Sequence, residues 1–190
     1  MRPEEFKAAQ QQFNQALLIE LPRINESVAK NAYALLRDRI INEGKKGDGS
    51  SLGKYSDTEL PLFFYKGKSL NAGGDKAIEK AKKERRGLSY EDFREANNRP
   101  VDHVTTNFSG QTWKDIGVVK QQVQGGTIIT TVGAKNTIAR TSGNKTIDTD
   151  TILSGLGDRY GDLLQVSQTE EELLANTYDA ELQKLIDKFF

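Results

Sequence analysis

Two pairs of aspartates, Asp148 with Asp150 and Asp158 with Asp162, are the residues best spaced to act as acid and base in a glycoside cleavage. Both pairs sit among glycines and threonines, where an aspartate usually bonds nearby backbone amides and serves a turn or a cap. The run Glu170, Glu171 and Glu172 could hold a cation. It follows Ser167-Gln-Thr, however, which makes Ser167 to Glu170 a capping box and puts the acids in a first helical turn, where the helix dipole favours them. One histidine and no cysteine give little support to a metal site or a Ser-His triad and exclude disulfides and thiolate chemistry. That histidine, His103, reads as an ordinary hydrogen-bonding side chain. Residues 44–53 are rich in glycine, but Lys45 and Lys46 precede most of the glycines and no Gly-Lys-Ser/Thr opens a helix, so a mobile loop is expected and not a phosphate cradle. No catalytic residue, cofactor site or metal site follows from these patterns.

A second constellation is cationic. Residues 75–86 repeat at helical spacing, with Lys76, Lys80, Lys83 and Arg86 marking a basic face beside Glu79 and Glu84. A solvated helix face is the simplest account; contact with an acidic protein surface and phosphate contact with DNA are the alternatives. No aromatic residues alternate with these charges, which argues against a stacking platform for single strands.

These residues must be carried by a lean chain. Of 190 residues 36% are hydrophobic and 28% charged, with 17 glycines, so the apolar material is concentrated in a few elements of one domain, residues 1–190, or is completed by assembly. Lys plus Arg balances Asp plus Glu at 27 each, so no global field draws the chain to nucleic acid or an anionic membrane. The first residues lack an apolar signal core, and no run approaches the roughly 20 apolar residues that span a bilayer. No membrane partner is expected.

Residues 1–43 read as a helical arm, because Phe13, Leu17, Leu21, Ile24, Val28, Ala32, Leu35, Leu36 and Ile40 recur at spacings of three and four. Pro22 removes a backbone donor inside this run, so a kink or a joint between two helices is expected at residues 21–23. Residues 44–74 read as a loop with a short strand, Leu60-Pro-Leu-Phe-Phe-Tyr forming either that strand or a plug that seats aromatics in a core. Residues 75–98 hold the basic helix and a short helix opened by Ser89. Residues 101–134 are expected to form three antiparallel strands: the first over 101–110, with Val104, Thr106 and Phe108 on one face, the next through Trp113, Ile116 and Val123, and a last one after a Gly125-Gly126 hairpin turn. A polar loop over 136–150 leads to C-terminal helices over 151–190. So small a sheet leaves an edge unpaired. Phe108, Trp113, Ile116 and Ile129 are therefore candidate subunit-interface residues, with a core anchor the favoured role for Trp113.

The order of these parts resembles the neck and tail-completion proteins of tailed bacteriophages. The likeness rests on Ser109-Gly-Gln-Thr-Trp-Lys-Asp-Ile116, which is similar to that family's Thr-Gly-x-Leu-x-x-Ser-Ile element, on Val132-Gly133 in the following strand, and on the late Arg159-Tyr-Gly-Asp-Leu-Leu-Gln-Val-Ser-Gln-Thr-Glu170. Serine stands here for threonine, tryptophan for leucine, and Asp115 for serine. The segment Arg159-Tyr-Gly and the Ser-x-x-Glu helix start resemble versions from phages of gut anaerobes, including the crAss-like group. The resemblance implies a structural, non-enzymatic virion subunit that is assembled in the host cytoplasm. Its partners would be copies of itself in a ring, the portal and other neck or tail proteins, with non-specific contact to packaged DNA in the channel. An α+β fold is expected, with a small antiparallel sheet packed against long terminal helices. The rival reading is a nucleic-acid-associated adaptor using the helix at 76–86.

Overall fold

The three-and-four spacing of the first forty residues is realised as one helix, α1 (Pro3–Asp38), about 54 Å long at 1.5 Å per residue. A computed structural model describes residues 2–106, 110–137, 140–142 and 145–190. The backbone amide of Arg2 donates to Glu5 at 2.7 Å, and Pro3 starts the helix where its missing N–H is no loss. Pro22 does not divide the helix, against the joint expected from its chemistry. Its neighbourhood is braced from two sides: Gln121 Nε2 donates to the Pro22 carbonyl at 2.7 Å, and Glu20 and Ile24 share a small cavity with Glu181, Lys184 and Leu185 of the C-terminal helix. Tertiary packing thus overrides the local break.

The last turn widens into a π-turn, Arg39–Glu43, which carries Arg39 and Ile40 inward and stops at Gly44. Gly44 has a left-handed φ of 62°, and a Cβ there would meet the His103 ring at 2.4 Å. Only glycine fits both demands.

A small unit follows. Strand β1 (Glu59–Leu60) pairs antiparallel with β2 (Leu88–Ser89), and between them lie a 3₁₀ turn, Leu62–Tyr65, and helix α2 (Ala72–Lys83). Asn71 caps α2 by accepting from the amides of Gly73 and Gly74. Ser89 caps α3 (Tyr90–Ala96) by accepting from Asp92, as its position predicts. Tyr65, Ala81, Leu88 and Phe93 form the core of this unit.

The remaining elements are α4 (Gln111–Lys114), the long ribbon β3 (Ile116–Gln124) and β4 (Thr127–Ala134), a short hairpin β5 (Arg140–Ser142) and β6 (Lys145–Ile147), α5 (Thr149–Tyr160) and α6 (Gln168–Ile186). The fold is α+β. Two expectations fail. Residues 101–106 form no strand, because the Val104 amide donates to the Gly53 carbonyl and the Thr105 amide to the Tyr55 hydroxyl, while Thr106 turns left-handed at φ 50°. Trp113 accordingly sits in the short α4 and not in a strand. Residues 136–150 are not all loop, since β5 and β6 pair within them.

The main core joins Ile40, Leu52, Val104, Trp113, Ile116 and Leu163. Helix α6 runs back antiparallel along α1: Arg39 Nε lies 3.0 Å from Glu170 Oε1 at one end, and Phe189 and Phe190, just past α6, pack on Phe13 at the other. Ser167 and Glu170 form the expected capping box. The two cores meet at an aromatic seam, where the Arg94 guanidinium lies 4.2 Å from the centroid of the Tyr55 ring and Tyr55 meets Tyr90 edge-on.

Candidate assembly surface

The β3–β4 ribbon is closed by Gly125 and Gly126, whose φ values of 58° and 82° suit the tight turn that matches strand twist. Pairing runs from Ile116 opposite Ala134 to Gln124 opposite Thr127, with a bulge at Val119. Strand alternation then divides the ribbon. Ile116, Val118, Gln121, Ile128, Thr130 and Val132 share the face toward α1, whereas Lys120, Gln122, Ile129 and Thr131 share the outer one. Ile129 is 39% exposed there. Neither edge of the ribbon pairs with another strand among the described residues.

The ribbon points toward the α1 N-terminus. Tyr33 donates its hydroxyl to the Trp113 carbonyl just before β3, while Gln121 reaches Pro22. Val123 lies two residues beyond Gln121 at the ribbon tip, and Leu18 four residues before Pro22 on α1. Val123 is 69% exposed, Leu18 77% and Ile19 59%. No residue between 2 and 23 is fully buried, although Phe6 and Phe13 of this half meet Phe189 and Phe190 beyond α6. Leu18 and Ile19 on α1 and Val123 at the ribbon tip are thus large apolar side chains left without cover.

Of the four candidate interface residues, the structure brings Trp113 and Ile116 together in the core and leaves Ile129 outside it. Trp113 is only 3% exposed and stacks loosely on Tyr33. Phe108 lies outside the described residues. On α2, Lys76, Lys80 and Lys83 line up on the exposed face, since Gly74, Ala77, Ile78 and Ala81 occupy the other. Those three lysines enter no ion pair among the described residues. Arg86 departs from them: it lies beyond α2 and binds Glu84 at 2.7 Å and Glu59 at 3.2 Å.

Sequence reasoning missed a second apolar patch. Residues i and i+3 of a 3₁₀ turn eclipse, so Leu62 and Tyr65 both face the small core and Phe63 and Phe64 are turned out. Those two rings stack at 4.4 Å and stay largely exposed, as does Leu70. The signal was available in the three-residue spacing of Leu62 and Tyr65, once the segment is read as 3₁₀ and not as strand.

Three of the four candidate aspartates are taken up in hydrogen bonds close to the elements that carry them. Asp148 caps α5 by accepting from Thr151, whose hydroxyl and amide hold the Asp148 carboxyl below its usual range. Asp150 accepts from Asn136 at 2.7 Å, and Asp162 from the Leu164 amide at 3.0 Å. His103 bridges Asp102 and the Ile41 carbonyl, the hydrogen-bonding role expected of it. Among the described residues no group of three or more His, Cys, Asp or Glu gathers as metal ligands do, and no helix is long and apolar enough to cross a membrane. The arrangement can present surfaces to other chains. No family model, curated protein or solved structure matches the chain.

Proposed function

We propose that this chain is a structural virion subunit, which assembles with copies of itself into a ring in the neck of a tailed phage, between portal and tail and around the DNA exit channel. The observation that carries this reading is the exposure of the large apolar side chains Leu18 and Ile19 on α1 and Val123 at the tip of an unpaired ribbon. A ring closes by heterologous contacts, which require two different complementary surfaces on one chain. The exposed side chains of α1 and the ribbon tip supply one, and the exposed Phe63, Phe64 and Leu70 supply a second. The motif resemblance over Ser109 to Ile116 and Val132-Gly133 supports the same reading.

Electron micrographs of particles made without this protein provide the test. Unjoined heads and tails, or heads that lose their DNA, are expected. Joined, full particles would sink the reading, as would a chain that stays monomeric alone and with portal or tail extracts.

The exposed row of Lys76, Lys80 and Lys83 favours one rival, an adaptor that contacts nucleic acid through phosphates. Under that reading Lys80→Glu with Lys83→Glu abolishes retention on DNA at low salt. If the unaltered protein shows no retention there, the rival fails.

A further inference from the structure

The chain is neutral as a whole, but its charge is segregated. Residues 60–90 carry six lysines and two arginines against three acids, whereas residues 148–190 carry ten acids against two lysines and one arginine. No ion pair joins the two regions among the described residues. Each region therefore presents its excess charge to solvent. A neutral chain divided in this way attracts copies of itself, basic region to acidic region.

Each region also carries an apolar feature. On the basic side, Phe63 and Phe64 stack outward from their 3₁₀ turn and are followed by the exposed Lys66 and Lys68, which enter no ion pair among the described residues. On the acidic side, α1 and α6 leave between them a groove of about 280 Å³, walled mainly by Ala34, Leu35, Leu173 and Leu174. Leu173 is a large apolar side chain left exposed there.

Beside this groove the uncompensated charge is acidic once local pairs are assigned. Lys30 is held by Glu26 at 2.7 Å, and Lys184 by Glu181 at 2.5 Å. Glu172, the neighbour of Leu173, is exposed and accepts from the neutral Gln168 at 3.4 Å. Asp179 follows two turns later on the same face of α6, also exposed, and enters no ion pair among the described residues.

We propose that the Phe63–Phe64 turn of one copy docks in the α1–α6 groove of a second copy, with Lys66 and Lys68 set beside the second copy's Glu172 and Asp179. The rings supply the apolar burial, as aromatic anchors in grooves do. The charges choose the partner and its orientation, since exposed ion pairs add little affinity of their own. Rings and groove are different surfaces of one chain, so the contact is heterologous and every added copy offers the same pair again. This contact rests on the proposed assembly of copies into a ring and names the joint within it.

The mass of the full chain is followed by light scattering against protein concentration. Phe63→Ser with Phe64→Ser, Lys66→Glu with Lys68→Glu, and Glu172→Lys with Asp179→Lys all change exposed positions. Each pair is expected to keep the melting temperature and to weaken assembly about tenfold. An equal mixture of the two charge-reversed variants is expected to regain the assembled mass, because each then meets opposite charge on the other. If the unaltered chain assembles and the three variants assemble equally well, or the mixture recovers nothing, this contact is overturned and the ring reading stands. If the lysine reversal abolishes retention on a short DNA duplex while the Glu172 and Asp179 reversal leaves the mass unchanged, nucleic acid occupies the basic side and the contact falls. An unaltered chain that stays single, alone and with portal or tail extracts, overturns both the contact and the ring.

Discussion

Tyr65 fills the smaller core with its ring, centroid 4.5 Å from that of Phe93, and donates its hydroxyl to the Leu88 carbonyl at 2.7 Å. Burial, with the neighbouring Tyr90 and Asp92 adding to it, pushes its phenol up to about 12. The unfolded chain's tyrosine ionises near 10. The folded state therefore holds this proton more tightly, so the stability that Tyr65 contributes is complete below about pH 10 and is lost as pH rises toward 12. Tyr65→Phe is expected to lower stability by about 1 kcal/mol at neutral pH, through the hydrogen bond removed from a buried carbonyl. Urea midpoints of both proteins from pH 8 to 11.5 would check this. The gap between them should narrow above pH 10, and a constant gap would count against the assignment. Asp115 is a different case at the same scale. It is fully buried and accepts from the amide and hydroxyl of Thr137 and, at 2.5 Å, from the hydroxyl of Thr149, so it ties the start of β3 to the start of α5. In the sequence it stood out only as a departure from serine in a motif; its partners lie more than twenty residues away and could not be read locally.

At the scale of elements, what could be read in advance is what neighbouring residues decide among themselves. Gly125-Gly126 dictates a hairpin because both residues need positive φ. Ser167 with Glu170 starts α6 and Ser89 starts α3 because a cap involves only three or four positions. The failures lie where distant partners decide. The alternation of Val104, Thr106 and Phe108 resembled a strand, yet the amides of Val104 and Thr105 are taken by Gly53 and Tyr55, fifty residues earlier, so the ladder has no donors to spare. Pro22 was expected to kink α1 or divide it, and α1 is not divided there, with the ribbon on one side and α6 on the other. Of the candidate basic face, the three lysines could be placed from helical spacing; Arg86 could not, because α2 ends at Lys83 and Glu59 comes from β1. The pairing of Arg39 with Glu170, buried on both sides, was invisible for the same reason. It orients α6 on α1 at a net value that desolvation keeps small, although removing one partner alone would be strongly destabilising.

For the whole molecule, the lean composition is spent on two small cores and a helix pair, which leaves the first half of α1 with no buried residue and the ribbon tip with apolar side chains in water. The proposed ring gives those side chains a cover, and it separates two kinds of substitution. Leu18→Lys with Val123→Lys changes exposed positions, where single replacements usually alter stability by no more than about 0.5 kcal/mol. Trp113→Ala empties a buried site and costs about 3–5 kcal/mol, a large part of the roughly 5–15 kcal/mol that holds a domain together. The double lysine variant is thus expected to keep its circular dichroism and melting temperature while its mass by light scattering drops from the assembled to the single-chain value. Trp113→Ala is expected to melt at a markedly lower temperature whether or not it assembles. A double variant that assembles like the unaltered chain would remove Leu18 and Val123 as the joint and leave the exposed Phe63, Phe64 and Leu70 to account for any ring. A Trp113→Ala protein that folds normally but stays single would instead return the tryptophan to the interface.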